Sequence, residues 1–387
     1  MLLIESDGKR LLQAHGIPVP ASSLVIGQED VAKLAAAHPS TPKIVKAQVP
    51  VGGRGKAGGV LRAESSAEAA AAATAMLGRH IKGHTVRACL IEEPIAGSEH
   101  YLALLVDAGS GGIRLLYSDA GGIDIEQAAT TSGHMFDRLV RPDRNAFDAA
   151  ISELEQTLDP TSASAIAACA RQLGALFFDK ELLLAEINPL FLRPNGQIVA
   201  GDAKIVIDLN AIERHDDLKS MLSGHRDWYP DAWRKIQEQF DFIELDAQGT
   251  IGLVTTGAGL SMMLLDELTE KGARPFNFCD VRTGQMRGDP SRLLAIFRWL
   301  KEAPNVRMVL INIFAGITDL AEFARTLVLA LSQMPGWNPP IVARLIGNNE
   351  ELAMEILRTQ APQIRFETDL EKAISLSTSM AQEANHA

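Results

Sequence analysis

The sequence predicts an α/β chain in two parts, the second built on an open parallel sheet. From Thr250 onward, short β-branched runs alternate with long helical stretches, the pattern of right-handed βαβ units whose sheet is covered on both faces. Before that point, strands, hairpin signals and glycine-rich turns are mixed. Between about 220 and 248 the pattern turns polar and aromatic (Trp228, Tyr229, Trp233, Phe240, Phe242), which reads as a domain boundary with a connecting helix. That break divides the chain into 1–235 and 245–387. A chain of 387 residues is too long for one ordinary core; at about 150 residues per domain, two or three are expected.

Residues 6–16 read as a helix, with Leu11, Leu12 and His15 on one face and Gly16 as its stop. A short strand near Leu24–Ile26 and a helix over Glu29–Ala37 follow. Lys43-Ile-Val-Lys-Ala-Gln-Val is a β-branched strand running into Gly52-Gly-Arg-Gly-Lys-Ala-Gly-Gly59. The Ala-rich stretch 66–76 is a strong helix, and strands are expected around Arg87–Glu92, Tyr101–Asp107 and Ile113–Tyr117. A helix spans roughly Ser162–Phe178. Leu182–Ile187 and Gln197–Lys204 then read as a hairpin turning at Pro194-Asn195-Gly196. In the second part, strands Ile251–Thr255, Phe276–Val281, Arg307–Ile313 and Ile341–Leu345 alternate with helices 260–271, 290–301, 319–333 and 349–358. A short strand and a last helix close the chain.

The composition excludes several function classes. Net charge is -11 with no strongly basic segment, which argues against nucleic acid, because phosphate neutralisation needs clustered Lys and Arg. Cys89, Cys169 and Cys279 are far apart, so neither a zinc site nor a disulfide framework is expected and a reducing compartment fits. The start lacks a basic n-region, and no run approaches the ~20 apolar residues of a spanning helix, so a cytoplasmic protein without a membrane partner is expected.

Three local patterns point to phosphate chemistry. In the glycine-rich loop, Gly53 and Gly55 flank Arg54; glycines let backbone N–H groups approach phosphate oxygens, and the cation adds charge-assisted bonds. A mobile hairpin tip with incidental charge is the alternative. The spacing fits neither a Walker A loop nor a dinucleotide fingerprint. Lys46 lies on the strand leading into this loop, as an anion ligand or an exposed-face residue. Glu186, Asn188 and Asp202 are hard oxygen donors on the predicted hairpin, with Glu186 and Asn188 on one face, suited to Mg²⁺ on a triphosphate or, alternatively, simply solvent-facing.

Val45-Lys-Ala-Gln-Val-Pro-Val-Gly-Gly-Arg-Gly-Lys-Ala-Gly-Gly-Val60, Gly121-Gly-Ile-Asp-Ile-Glu126, Leu184-Ala-Glu-Ile-Asn-Pro-Leu190 and Asp202-Ala-Lys204 resemble the β subunit of succinyl-CoA synthetase and its relatives. Thr256-Gly-Ala-Gly-Leu260, Phe278-Cys-Asp-Val281, Asn312-Ile-Phe-Ala-Gly-Ile317 and Arg344-Leu-Ile-Gly-Asn-Asn349 extend the resemblance through the second half, in order. It implies an ATP-grasp domain followed by a flavodoxin-like ligase domain. It implies a nucleotide, ATP or GTP, held by Lys46, the backbone of Gly53–Gly55 with Arg54, a hinge acid near Glu92 and a second contact at Glu99. One residue fewer separates Glu92 from Glu99 than the family spacing expects. Asn188 and Asp202 match Mg²⁺ ligands, and Glu186 matches a carboxylate that steadies a phosphohistidine loop donated by an α subunit. That α subunit also carries most of the CoA site. Consistent with this division, none of the nine histidines stands in a Gly-His-Ala-Gly-Ala-like loop; His134 comes nearest and departs clearly.

The departures from the family cluster in the second part, in loops after strand ends, where open parallel sheets bind ligands. Thr256 replaces an Asn, Arg282-Thr-Gly-Gln-Met stands where a glycine triplet is usual, and Ala315-Gly-Ile-Thr-Asp319 replaces a Gly-Gly-Ile segment. Thr256, Arg282, Gly316, Ile317 and Thr318 are therefore candidate contacts for a small acid. Arg suits bidentate contact with carboxylate or sulfonate, so the acid expected here is malate, sulfoacetate or another anionic acid rather than succinate. The alternative is drift, with Arg282 pairing an acidic residue on the partner. Two other readings share the same residues: an ATP-grasp carboxylate ligase that works alone, and a non-catalytic nucleotide-binding partner.

Overall fold

The computed structural model of the chain describes residues 1–36, 41–122 and 135–383. The chain forms two compact units, Met1–Tyr229 and the remainder from Pro230. The segment 123–126 of the Gly-Gly-Ile-Asp-Ile-Glu motif and His134 lie outside the described residues. Among the described residues, no helix is long and apolar enough to cross a membrane.

The first unit begins with α1 (Glu5–Ala14), then β1 (Ser22–Val25), α2 (Gln28–Ala36), β2 (Lys43–Ala47), β3 (Val60–Ala63), α3 (Ser66–Met76), the short pair β4 (His80–Ile81) and β5 (His84–Thr85), and β6 (Cys89–Glu92). Strands β1-β6-β2-β3 form an antiparallel sheet in that order. The alanines of α3 are there for closeness: Ala69 and Ala73 are fully buried against Val45, Ala47 and Ile91. Ser65 caps this helix by accepting from Glu68 N, satisfying a first-turn donor.

The second sheet holds β7 (Ser98–Asp107), β8 (Gly112–Ser118), β9 (Met135–Val140), β10 (Leu182–Leu192), β11 (Ile198–Ala200) and β12 (Lys204–Ile207). Its order is β11-β10-β7-β8-β9, with β12 also paired to β10. Helices α4 (Arg144–Thr157) and α5 (Pro160–Asp179) start at the caps Asp143 and Asp159. Helix α4 is an addition to the sequence reading. Phe147, Ala150, Ile151 and Leu154 are buried at helical spacing, so the signal was present in the periodicity. A helix α6 (Asp216–Gly224) leads to the end of the unit.

One correction matters for the site. The stretch expected as a single strand over Gln197–Lys204 is two strands: β11 registers Leu190 with Ala200, and β12 registers Glu186 with Lys204. The break falls at Gly201–Ala203, where a side chain on residue 201 would meet the Phe191 ring at 2.4 Å. Asp202 therefore sits in a gap, not on a ladder. The N-terminus zips onto β12 through Leu3 N to Ile205 O (2.9 Å) and Ile207 N to Met1 O (2.9 Å), which lays α1 over this gap. Asp7 anchors the other side of α1, accepting from Tyr229 Oη (2.8 Å) and from His225 Nδ1 (2.9 Å).

The second unit runs α7 (Pro230–Glu238), β13 (Asp241–Glu244), β14 (Ile251–Thr255), α8 (Ala258–Glu270), β15 (Asn277–Asp280), α9 (Ser291–Glu302), β16 (Met308–Ala315), α10 (Leu320–Ser332), β17 (Ile341–Gly347), α11 (Glu350–Gln360), β18 (Ile364–Phe366) and α12 (Leu370–Glu383). The parallel sheet is β14-β16-β17-β18, with apolar cores that include Phe297, Leu327, Leu253 and Ile374. β15 departs from the simple alternation. Its ladder partner is β13, antiparallel, in register Asp241 with Asp280. Toward β14 it is joined at the ends by backbone bonds, Phe276 N to Ile251 O (2.8 Å) and Val281 N to Thr255 O (2.9 Å). Between them the buried Asn277 amide takes the ladder's place, accepting from Leu253 N (2.9 Å) and donating to Leu253 O (3.0 Å). Replacing Asn277 with Leu strands both polar groups of Leu253 in the core. The expected outcome is a loss of about 3 kcal/mol in the unfolding of this unit, measured by urea denaturation followed through tryptophan fluorescence.

Candidate functional site

At the break between β11 and β12, α1, β2, the glycine loop and β6 bring a set of charges together in the interior of the first unit. Lys46 on β2 is 8% exposed; its Nζ donates to Glu5 Oε1 (2.8 Å) and Gly201 O (2.7 Å) and forms an ion pair with Glu92 Oε2 (2.8 Å). Arg54, from the glycine loop, donates through Nη2 to Glu5 and to both oxygens of Asp202 (3.0 and 3.1 Å), and through Nη1 to Ala47 O (3.3 Å). Gln48 ties helix to strand, accepting from Ser6 N (2.9 Å) and donating to Lys46 O (3.0 Å). Burial by itself would raise the Glu5 pKa, but the charges of Arg54, Lys46 and Lys9 outweigh it and hold the carboxyl well below the usual range. Burial would likewise release the protons of Lys46 and Arg54. Glu5 and Glu92 beside Lys46, and Glu5 and Asp202 beside Arg54, instead push both pKa values up.

The glycine loop folds over its own arginine: Ala57 N (3.1 Å) and Gly59 N (2.8 Å) both donate to Arg54 O. Gly53 adopts φ +66°, the left-handed region, which is why a glycine precedes the arginine there. Gly55 supplies its carbonyl to Gly58 N (3.1 Å) within the same turn. Lys82 reaches across to Gly52 O at 2.7 Å.

On β10, Glu186 accepts from Lys204 (3.1 Å). Asn188 is engaged reciprocally with Gly122, accepting from its N–H and donating to its carbonyl, both at 2.8 Å. The neighbouring Gly121 donates to Glu99 O (2.8 Å), and a Cβ at 121 would lie 2.5 Å from His100 O, so only glycine lets this turn close on β7. The structure thus brings Lys46, Arg54, Glu92 and Asp202 into one bonded cluster. Glu186 and Asn188 sit on the adjoining β10, and Glu99 lies beside the turn that Asn188 holds. Both side-chain oxygens of Glu92 are committed to lysines. A cavity of about 430 Å³ opens beside Glu92, lined also by Ser22, Ser23, Lys43, Ile91 and Glu93.

In the second unit the candidates occupy the carboxyl ends of neighbouring strands. Thr256 follows β14, Arg282 follows β15, and Gly316, Ile317 and Thr318 follow β16. Asp280 accepts from Gly257 N (2.9 Å), linking the first two loops. Thr283 and Thr318 share a hydroxyl bond (2.8 Å), linking the second and third. Arg282 stands in the left-handed region at φ +52°, and its Nη2 donates to Asp241 Oδ2 (3.1 Å) of the same chain. Asp241 also takes Lys235 at 2.8 Å. Ile317 is 97% exposed.

Comparison with known proteins agrees with both units. A family model described as an ATP-grasp domain matches residues 2–192, and one described as a CoA-ligase matches 254–373. The succinate–CoA ligase [ADP-forming] subunit beta of Chloroflexus aggregans is 37% identical over 363 residues, covering 92% of this chain and 93% of that protein. The succinate–CoA ligase [GDP-forming] subunit beta of Thermus thermophilus is 34% identical over 381 residues, covering 96% and 97%. The chain belongs to the succinate–CoA ligase β-subunit family. An ATP citrate lyase structure from Methanothrix soehngenii shares the fold, with TM-score 0.68 at 18% identity over 98% of this chain and 99% of that one. The expected α/β architecture, an ATP-grasp domain followed by a CoA-ligase domain, is what these matches show.

Succinate–CoA ligases of this family use ATP or GTP, CoA and Mg²⁺. The donor chemistry here fits Mg²⁺. Asp202 and Glu186 offer carboxylates and Asn188 an amide oxygen, while among the described residues no group of three or more His, Cys, Asp or Glu side chains could cage a metal alone. A small, hard ion that arrives with phosphate and keeps several waters needs no more than that.

Sequence reasoning missed Glu5 and Lys9. Both are buried, at 1% and 3% exposure; Lys9 donates to Glu92 Oε1 (2.5 Å) and Gly201 O (2.9 Å) and forms an ion pair with Glu5 Oε1 (2.7 Å). The available signal was an acid and a base four apart on a helix otherwise read for its leucines, a spacing that usually marks an exposed pair. Because the Glu5 pKa is depressed by folding, its contribution to stability is present above its ordinary value and lost as pH falls toward the folded one. The stability difference between the wild type and Glu5→Gln, from urea denaturation at stepped pH, should therefore be constant near neutrality and shrink progressively below about 4.5, the ordinary value.

Proposed function

We propose that the first unit binds ATP or GTP with Mg²⁺ and passes the terminal phosphoryl group to a histidine on an α subunit, which the pair uses to join an anionic acid to CoA. The observation that carries this reading is the buried Lys46–Arg54 pair facing Asp202, with Glu186 and Asn188 on the adjoining strand, in a chain of this ligase family. Mg²⁺, when bound through Asp202 and Asn188, would neutralise phosphate charge. Lys46 and Arg54 supply donors to phosphate oxygens, and the Gly53–Gly55 backbone lets those oxygens approach closely. In-line transfer needs little more from the protein than such positioning and charge neutralisation. Glu92 and Glu99 border the nucleotide, and Glu186 steadies the incoming histidine. The phosphoryl group moves from that histidine to the acid carboxylate, and the CoA thiolate then displaces phosphate to leave the thioester.

The acid we propose is a hydroxy-dicarboxylate such as malate, or a sulfonated acid such as sulfoacetate. Two of the three loops that depart from the family pattern act together: the Thr283–Thr318 bond needs both departures, and Asp241 fixes Arg282 at the loop that follows β15. An arginine so fixed favours an acid with one more anionic or hydroxyl group than succinate.

The test is a panel assay on this chain co-expressed with its α subunit, supplying ATP or GTP, CoA, Mg²⁺ and single acids (succinate, malate, sulfoacetate, acetate, longer diacids). A non-succinate acid should be preferred by about tenfold or more in kcat/KM. Preference for succinate would overturn the acid assignment and leave the nucleotide reading standing. The chain alone should bind nucleotide and form no acyl-CoA; thioester formation by the isolated chain would favour a single-chain ligase. Lys46→Met in the complex should lower nucleotide kcat/KM by about tenfold to a hundredfold, since charge-assisted bonds are lost.

A further inference from the structure

The donor count of the buried cluster contains more than a binding site needs. An ammonium has three N–H donors. Lys46 donates to Glu5 Oε1 and Gly201 O and forms an ion pair with Glu92 Oε2. Lys9 meets the same two side chains and the same carbonyl: it donates to Glu92 Oε1 and Gly201 O and forms an ion pair with Glu5 Oε1. Lys46 is thus already in contact with two carboxylates and a carbonyl, and turning toward a phosphate oxygen weakens at least one of these contacts. Releasing an acceptor inside the protein is costly, because a buried carboxylate without a cation is far less stable than a paired one. Lys9 lowers that cost, since both carboxylates and the carbonyl that Lys46 holds are also in contact with Lys9.

Arg54 faces the same competition. Its Nη2 is shared between Glu5 and Asp202. Asp202 is about one third exposed, whereas Glu5 is fully enclosed. Glu5 is thus the group that holds both phosphate-directed cations back.

We propose that Glu5 and Lys9 are positioning residues that set nucleotide affinity in opposite directions: Glu5 competes with phosphate for Lys46 and Arg54, and Lys9 takes over Glu5 and Glu92 when those cations turn to the nucleotide. This rests on the nucleotide reading above and adds two residues to it. Neither touches the nucleotide. Each acts through Lys46 or Arg54: Lys9 keeps Glu5 and Glu92 paired with a cation while Lys46 and Arg54 turn to phosphate.

The opposite signs make the inference testable, because a purely structural role would weaken binding in both variants. Affinity for a non-hydrolysable ATP analogue with Mg²⁺ is measured by calorimetry on the full chain in complex with its α subunit. Glu5→Gln should bind about tenfold tighter than wild type and Lys9→Gln about tenfold weaker, with Lys9→Arg near wild type and the double variant returning toward it. Weaker binding in both single variants, or no change in Lys9→Gln, would overturn the exchange. If Glu5→Gln fails to fold, Lys9→Gln against Lys9→Arg decides alone, with thermal midpoints confirming that both are folded. Failure of the underlying reading looks different: the wild type would not bind the analogue, or Lys46→Met would bind it as well as wild type does.

Discussion

Three cations and two carboxylates can be buried beneath one helix only if every donor finds an acceptor, and in this chain the acceptor that makes it possible is a backbone carbonyl. Gly201 O lies where β11 ends and β12 has not begun, so it has no ladder partner and accepts from both Lys9 and Lys46. The same break turns Asp202 toward Arg54. A continuous strand would have consumed that carbonyl and aimed residue 202 along the pleat. Much of the first unit keeps the break in place: the N-terminal residues pair with β12, α1 lies across it, and Asp7 with Tyr229 and His225 hold α1 from behind. Under the proposed nucleotide reading stability and function are coupled, because the cations assigned to phosphate, Lys46 and Arg54, also neutralise the buried Glu5 carboxylate.

The second unit uses side chains where its backbone does not meet. Asn277 completes the junction of β14 with β15, and the Thr255 hydroxyl donates to Cys279 O within the same junction. Pairing β15 with β13 on its other edge carries Asp241 alongside Asp280, and each of these acids then organises a loop: Asp280 the one after β14, Asp241 the one bearing Arg282. Loops at the carboxyl ends of parallel strands are free to vary while the sheet beneath stays fixed. The proposed acid assignment relies on that freedom.

How legible the site was depended on how local its signals were. Lys46, Arg54 and the flanking glycines could be read because a β-branched strand running into a glycine-rich turn is a short-range pattern. Glu186 and Asn188 could be read because residues two apart on a strand share a face. The sequence places Asp202 on a strand and carries no sign of the gap, since the gap goes with the Phe191 ring packed against Gly201. Arg282 reads from sequence as a cation directed at a ligand or a partner, yet the structure pairs it with Asp241, forty-one positions earlier in the same chain. Helix α4 escaped because its four buried positions lie among polar residues.

The sequence by itself determined the two-part α/β architecture, the order of most strands and helices, and which residue types stand at the glycine loop and at the strand ends. Those follow from side-chain periodicity and turn chemistry, which act over a few residues. Only the tertiary structure decided that Glu5 and Lys9 point inward and that β15 pairs with β13. An acid and a base four apart on a helix have the same sequence signature in water as in a core, and which it is depends on what covers the helix: here a strand gap almost two hundred residues away, at Gly201.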